Sequence, residues 1–468
     1  MISGGLYTDM YELTMAQGYL IMGKQDETAS FDYFFRMNPY HGGFTVFAGL
    51  WNLLEALENF SYSPEDLEYL RSRGFRNEFL SFLTDFRFSG TIYSVKEGEI
   101  VFPNEPVLRA EGTLIETQLI ESIVLNYLNF QSLIATKAAR IRRVAGDRIF
   151  ADFGLRRAQG WGSLHASRAS VIGGADATSH VLAGKEYGLE ITGTQAHSWI
   201  QSFDDELTAF RKFTELYPDG AVLLVDTYDT LQNGLPNVIT VAKELEARGH
   251  RIGGIRLDSG DLAYLSKKAR RMLDDAGLGY VKIIASNQLD EYVIRSLNIQ
   301  EAPIDGFGIG TRMITGMPDA ALDGVYKLSV AAGSPRLKIS DNIEKVTLPG
   351  AKTIMRLVGN DDKFAGDGII LTNENKPDRI YHPLDPRKYT DTGKYETEDL
   401  LEKVMEKGKI VIPFRSPAEI GKYVKERMSR LPAEHQRFEY PHIYKVGLSG
   451  KLKNLRNDLV NGHRNNNP

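Results

Sequence analysis

Between residue 145 and about residue 331 the chain repeats one pattern: a short β-branched run, then turn residues, then apolar positions spaced for a helix. The runs are Arg148–Asp152, Leu189–Gly193, Ala221–Asp226, Arg251–Asp258, Tyr280–Ser286, Ile304–Gly310 and Val325–Val330. In Asp261–Ala276 the residues Leu262, Leu265, Ala269 and Leu273 fall on a single helical stripe. Thr230–Arg248 is spaced similarly, and Gly249 stands where a helix stops. Strands that alternate with helices pair in parallel. Seven such units without a visible reversal predict an irregular, closed or nearly closed parallel α/β barrel, with an open doubly wound sheet as the alternative.

The flanks read differently. Residues 1–110 hold aromatic strand-like runs at Phe31–Phe35, Phe44–Phe47 and Gly90–Val95, the pair Gly42–Gly43, and a helix near Pro64–Arg73. A long helical stretch, Thr117–Arg143, leads into the repeating region. After about residue 345 come short strands (Lys363–Leu371, Lys409–Pro413) and a polar helix at Ala418–Leu431. The predicted division is an N-terminal α+β domain over 1–115, the barrel over 116–340, and a small C-terminal domain over 341–468. Its polar tail, Asn461–Pro468, is expected to be disordered.

Composition narrows the function. A net charge of -5 leaves no broad basic surface for a nucleic-acid backbone. With no cysteine there are no disulfides, thiolate metal sites or cysteine nucleophiles, which suits a cytoplasmic protein. Nine histidines occur without HxH or HExxH spacing, so a histidine-ligated metal is not expected. Asp9 and Glu12 interrupt the N-terminal apolar stretch, so no signal peptide is read, and no apolar run approaches a membrane span. The expectation is a soluble protein without nucleic-acid or membrane partners.

In parallel barrels the loops after the strands meet on one face, so chemistry gathers at strand C-termini. Asp152-Phe153-Gly154-Leu155-Arg156, the stretch 193–198 (GTQAHS), Asp226–Asp229, Asp258–Asp261, Ser286-Asn287 and 308–312 (GIGTR) all occupy such positions. Each alone is ordinary turn and N-cap chemistry. Six in succession point to a shared site. Gly306, Gly308 and Gly310 would let backbone N–H groups approach an anion. No GxxxxGK[ST] stretch occurs, so a P-loop is excluded. Asp226 and Asp258, still on their strands, suit Mg²⁺ beside a pyrophosphate, or ribose hydroxyls. Asp229 and Asp261 serve equally well as helix caps. His197, in a loop of small residues, is placed to take a phosphoryl group, with Asp226 as the partner that fixes its tautomer.

The stretches TDMYELTMAQGY (8–19), GGFTVFAGL (42–50), FADFGLRRAQG (150–160), HVLAG (180–184), GTQAHSWIQSF (193–203), LLVDTYDT (223–230), GIRLDSGDL (254–262) and GFGIGTRM (306–313) resemble nicotinate phosphoribosyltransferases, in that family's order. The resemblance implies a homodimer with active sites at the subunit interface. It implies coupling of nicotinic acid and phosphoribosyl pyrophosphate with Mg²⁺, while ATP, a co-substrate, phosphorylates a histidine. By motif, His197 is that histidine and Asp226 its orienting carboxylate, with Asp226 and Asp258 near Mg²⁺. Arg256, Asp258, Gly308, Gly310 and Thr311 would hold the phosphoribosyl group. Phe153, and Tyr11 from the other subunit, would sandwich the pyridine ring, with Arg156 nearby. His180 stands where the family has asparagine, and a histidine that donates to a carboxylate would favour nicotinate over nicotinamide. The rival readings are a nicotinamide or quinolinate phosphoribosyltransferase on the same fold, and a non-catalytic nucleotide-binding relative. The basic cluster Lys137, Arg140, Arg142 and Arg143 would serve a dicarboxylate in the quinolinate case, and is otherwise a solvated or phosphate-facing helix side.

Overall fold

The computed structural model describes residues 4–340, 346–385 and 387–466. The chain divides into two compact units, one of residues 137–320 with 416–421, the other of residues 1–136, 321–415 and 422–468.

The 137–320 unit holds a parallel sheet of six strands: Ile149–Asp152, Ala177–Thr178, Val222–Leu224, Gly254–Leu257, Lys282–Ala285 and Gly306–Ile309. Their spatial order is 177–178, 149–152, 306–309, 282–285, 254–257, 222–224. A single parallel bridge from Thr178 to Ile191 extends the row by one position, all that forms from the expected Leu189–Gly193 strand. The strands are apolar because both faces are covered, as parallel sheets require; Ile255, Leu257, Ile283, Ala285 and Ile309 are fully buried. Helices follow the strands, among them Leu235–Glu246 and Leu262–Asp275. Asp261 caps the second of these by accepting from the Tyr264 N–H at 3.0 Å. Asp229 likewise caps the turn before 235–246, accepting from Leu231 and Gln232.

The basic cluster on the helix Glu121–Ala145 divides: Arg143 is exposed and Arg142 partly so, while the other two cations are buried. Lys137 and Arg140 are buried and grip the equally buried Glu291, at 2.7 and 2.8 Å. Arg142 clamps the 174–176 turn through the Gly174 carbonyl and Asp176. Three of the four cations are thus held in structural contacts, which argues against the dicarboxylate site of the quinolinate reading.

The other unit is built on an antiparallel sheet of seven strands, ordered 334–335, 324–331, 28–35, 108–113, 91–94, 402–406, 409–410. The run Val325–Val330, expected in the barrel, lies here instead, antiparallel to Thr28–Phe35. Only Tyr326 and Ser329 of this strand are buried, and its partner lies some 300 residues away, beyond any local pattern. Aromatic packing of Phe60, Tyr62, Phe79 and Phe86 fills the core beneath three short helices. A second sheet, ordered 389–391, 379–381, 446–449, 364–371, 352–358, 396–399, comes from the C-terminal third. At its heart Arg356 is fully buried between Glu99 (2.6 Å) and Asp367 (2.7 Å). N- and C-terminal segments therefore share one unit, where the three-part division has them apart. The expected tail joins the helix Gly450–Asn466, and residues 467 and 468 lie outside the described residues.

Candidate active site

Because all six strands run the same way, their C-terminal ends open on one rim of the 137–320 unit. His197 begins the short helix His197–Gln201 beside that rim, with its side chain 41% exposed. Its Nδ1 lies 3.0 Å from the Thr227 hydroxyl, and its Nε2 lies 3.9 Å from Asp258 Oδ2. At 3.9 Å the Asp258 carboxylate faces Nε2 without a hydrogen bond, and the Thr227 hydroxyl can pair with Nδ1 in either tautomer.

Asp226 does not hold the imidazole by a hydrogen bond, contrary to the motif-based expectation. Its Oδ2 accepts from the Asp258 N–H (2.9 Å) and the Ser259 hydroxyl (2.6 Å). It props the turn that presents Asp258, and Asp258 is the carboxylate that faces the ring. The Ser286 hydroxyl fixes the other oxygen of Asp258. Arg256 points from the neighbouring strand and donates to the Thr194 hydroxyl. Burial pushes the Arg256 guanidinium down from its ordinary value, against the pull of Asp258 and Asp226, while Arg156 adds repulsion. Arg256 Nε, Asp226 Oδ1 and both polar atoms of Gln195 are buried without a hydrogen-bond partner. Such unspent capacity at a rim suits a polar ligand.

The glycines of 306–310 divide their labour. A Cβ on Gly308 would sit 2.4 Å from the Phe153 ring, and one on Gly306 would meet Ile284 at 2.9 Å. These two are small enough for neighbours to pack closely against the strand. Phe153 thus packs its ring against Gly308 at the sheet end and is half-buried. Gly310 leads directly into the short helix Thr311–Ile314. Arg156 is exposed on the turn after Phe153.

His180 is buried and both its ring nitrogens are engaged. Nδ1 accepts from the Ala183 N–H at 3.4 Å, capping the helix Val181–Tyr187, and Nε2 lies 3.1 Å from the Ser163 hydroxyl. No ring nitrogen is left to touch a substrate directly. Burial holds the imidazole below its ordinary pKa, with Asp152 opposing. Asp152 is itself buried and raised by burial, although Ser167, Gly154 N–H and Thr178 all donate to it. Tyr11 belongs to the other unit, on the helix Met10–Ile21, 46% exposed.

Sequence reasoning gave no individual role to Thr227, Thr194, Ser259, Ser286 or Ser163. The first four lie inside the stretches already singled out. Ser163 lies in an unremarkable helix, and only its distance to His180 marks it.

A half-exposed histidine, strand-end aspartates and an arginine with spare donors, all on the rim of a parallel sheet, suit an enzyme class that handles phosphate-bearing groups. Family models agree and are more specific. Residues 6–129 match the nicotinate phosphoribosyltransferase N-terminal domain, 149–377 the nicotinate phosphoribosyltransferase family, and 351–456 its C-terminal domain. The chain is 45% identical over 461 residues to a nicotinate phosphoribosyltransferase of Bacillus subtilis, covering 95% of this chain and 92% of the relative. It is 37% identical to one of Dictyostelium discoideum, covering 97% and 88%. The crystal structure of human nicotinic acid phosphoribosyltransferase superposes with a TM-score of 0.86 at 32% identity, covering 97% of this chain and 99% of that one. The chain belongs to the nicotinate phosphoribosyltransferase family.

Proposed function

We propose that this enzyme joins nicotinic acid to phosphoribosyl pyrophosphate, releasing nicotinate mononucleotide and pyrophosphate, and that ATP hydrolysis drives the reaction through phosphorylation of His197. The observation that carries the coupling is the setting of His197: half exposed at the rim, its Nε2 facing Asp258 and its Nδ1 beside the Thr227 hydroxyl. A neutral imidazole nitrogen that solvent can reach is a ready phosphoryl acceptor.

The ring nitrogen of nicotinate attacks the anomeric carbon of the ribose as the bond to pyrophosphate breaks. The pyrophosphate takes the electron pair. Positive charge develops on the ribose and negative charge on the leaving group, so fixed donors at the leaving group stabilise the transition state. Arg256, with its unspent Nε, and the N–H groups after Gly310 suit that task. Asp226 Oδ1 and Asp258 Oδ2 are the carboxylate oxygens free to hold Mg²⁺, largely through water and substrate oxygens. Bound there, Mg²⁺ would neutralise phosphate charge.

Phe153 gives the pyridine ring one aromatic face. Tyr11 of a second copy would give the other, in a homodimer with shared sites. Exposed apolar residues on rim-flanking segments, Trp161, Val181 and Ile191, support a covering partner. Among the described residues no helix is long and apolar enough to cross a membrane, and we place the enzyme in the cytoplasm.

Incubation with γ-labelled ATP tests the coupling. An acid-labile, base-stable label on the protein is expected, absent in His197→Ala, while that variant still forms nicotinate mononucleotide slowly. Label surviving in His197→Ala refutes the assignment of the acceptor. Absence of nicotinate mononucleotide from the wild-type reaction refutes the function.

A further inference from the structure

The unusual His180 has a task that its buried position does not suggest. We propose that it acts through Ser163, holding that hydroxyl as an outward donor to the carboxylate of the pyridine substrate. The inference rests on the nicotinate reading above and names a contact within the same site.

The helix Gly162–Ile172 runs back along the sheet after the 149–152 strand, so its first turn lies at the rim. Ser163 and Ser167 are one turn apart on the same face. Ser167 donates to Asp152 Oδ2 at 2.7 Å, the last residue of the strand and the neighbour of Phe153. Ser163 therefore lies on the same helix face, one turn nearer the rim than Ser167.

Hydrogen positions follow from the partners. The Ala183 N–H can only donate, so His180 Nδ1 is the bare nitrogen. The hydrogen of the neutral imidazole is then on Nε2 and is donated to Ser163 Oγ, 3.1 Å away. Burial, which keeps His180 uncharged, preserves this tautomer. The backbone N–H of His180 donates to Thr178 Oγ1 at 3.0 Å, and the Thr178 hydroxyl donates to Asp152 at 2.8 Å. Ser163, 5% exposed, receives one hydrogen bond, and its own hydroxyl hydrogen meets no acceptor among the hydrogen bonds of the described residues. A buried hydroxyl pinned as a donor suits a group that only accepts. A carboxylate is such a group. A carboxamide, with two N–H donors, must turn its single oxygen to fit.

Four variants read by steady-state kinetics test the chain. Ser163→Ala should raise KM for nicotinate on the order of 10- to 100-fold, the usual effect of one hydrogen bond to a charged group, with KM for phosphoribosyl pyrophosphate unchanged. His180→Asn keeps a helix-capping oxygen for Ala183 but is too short to reach Ser163. It should raise KM for nicotinate several-fold without lowering Tm. In Ser163→Ala/His180→Asn the second change should add nothing, since the histidine acts only through the serine. Ser163→Thr, which keeps the hydroxyl, should retain most of the affinity and guards against a packing effect of the alanine. An unchanged KM in Ser163→Ala, equal rises for both substrates, or a full additional effect of His180→Asn would overturn the proposal. A wild-type enzyme inert toward nicotinate sinks the underlying reading instead.

Discussion

Glu291→Gln isolates one ion cluster. The carboxylate is completely buried and meets Lys137 Nζ at 2.7 Å and Arg140 Nε at 2.8 Å, both cations only 1% exposed. Glutamine keeps the shape and removes the charge, leaving two cations in the core without their counter-ion. Breaking a buried ion pair from one side costs ~3–5 kcal/mol, because the residual charge stays desolvated. For a unit of this size that is a fall in Tm of roughly 6–20 °C. Burial pushes the Glu291 carboxyl up, but Lys137 and Arg140 pull it further down, below its ordinary value. A carboxyl depressed in the folded state adds stability above its unfolded pKa and loses it as pH falls through the folded one. The gap between wild type and variant should therefore be widest near neutrality and shrink on acidification below the ordinary carboxylate range. Thermal melts from pH 3 to pH 8 measure both effects. Replacing all three residues by apolar ones of similar size should recover most of the loss. A loss below ~1 kcal/mol, typical of an exposed pair, would mean that water reaches the cluster and that the cations are open to an anion after all.

Two further outcomes follow from packing and burial. Gly308→Ala puts a methyl 2.4 Å from the Phe153 ring. The expected cost is ~1–3 kcal/mol of overpacking, with a higher KM for nicotinate and little change for phosphoribosyl pyrophosphate; an unchanged nicotinate KM would detach Phe153 from the pyridine. In the other unit, burial pushes Glu12 up to about 7, although Ser122 and Thr8 donate to it. A carboxyl raised in the folded state favours folding below its unfolded pKa and loses that advantage as pH rises toward the folded value. Glu12→Gln should thus raise Tm at pH 8 relative to wild type and make little difference at pH 4. A variant less stable than wild type at pH 8 would contradict that sign.

Local pattern revealed what local physics decides. The stripe Leu262–Leu265–Ala269–Leu273 is a helix of the right extent, and Asp261 caps it, because amphipathic spacing and capping need only near neighbours. The buried face is turned slightly, onto Ala263, Ser266, Ala269 and Leu273. The strand Ala177–Thr178 escaped notice, since two residues make no run. Val325–Val330 was legible as a strand but not as a member of the right sheet, because pairing with 28–35 is decided by distant partners. At the site, motifs located the loops, and only geometry separated Asp258, which faces His197, from Asp226, which props the turn beneath it.

The antiparallel sheet also constrains how the molecule is made. Thr28–Phe35 leaves the ribosome early, yet one of its two flanking ladders is supplied by 324–331, after the whole parallel sheet has been synthesised. Until then an apolar strand with an unpaired edge must wait, an invitation to wrong pairing. Shortening the chain after residue 320 would leave that edge bare for good, so an isolated N-terminal fragment should aggregate rather than fold.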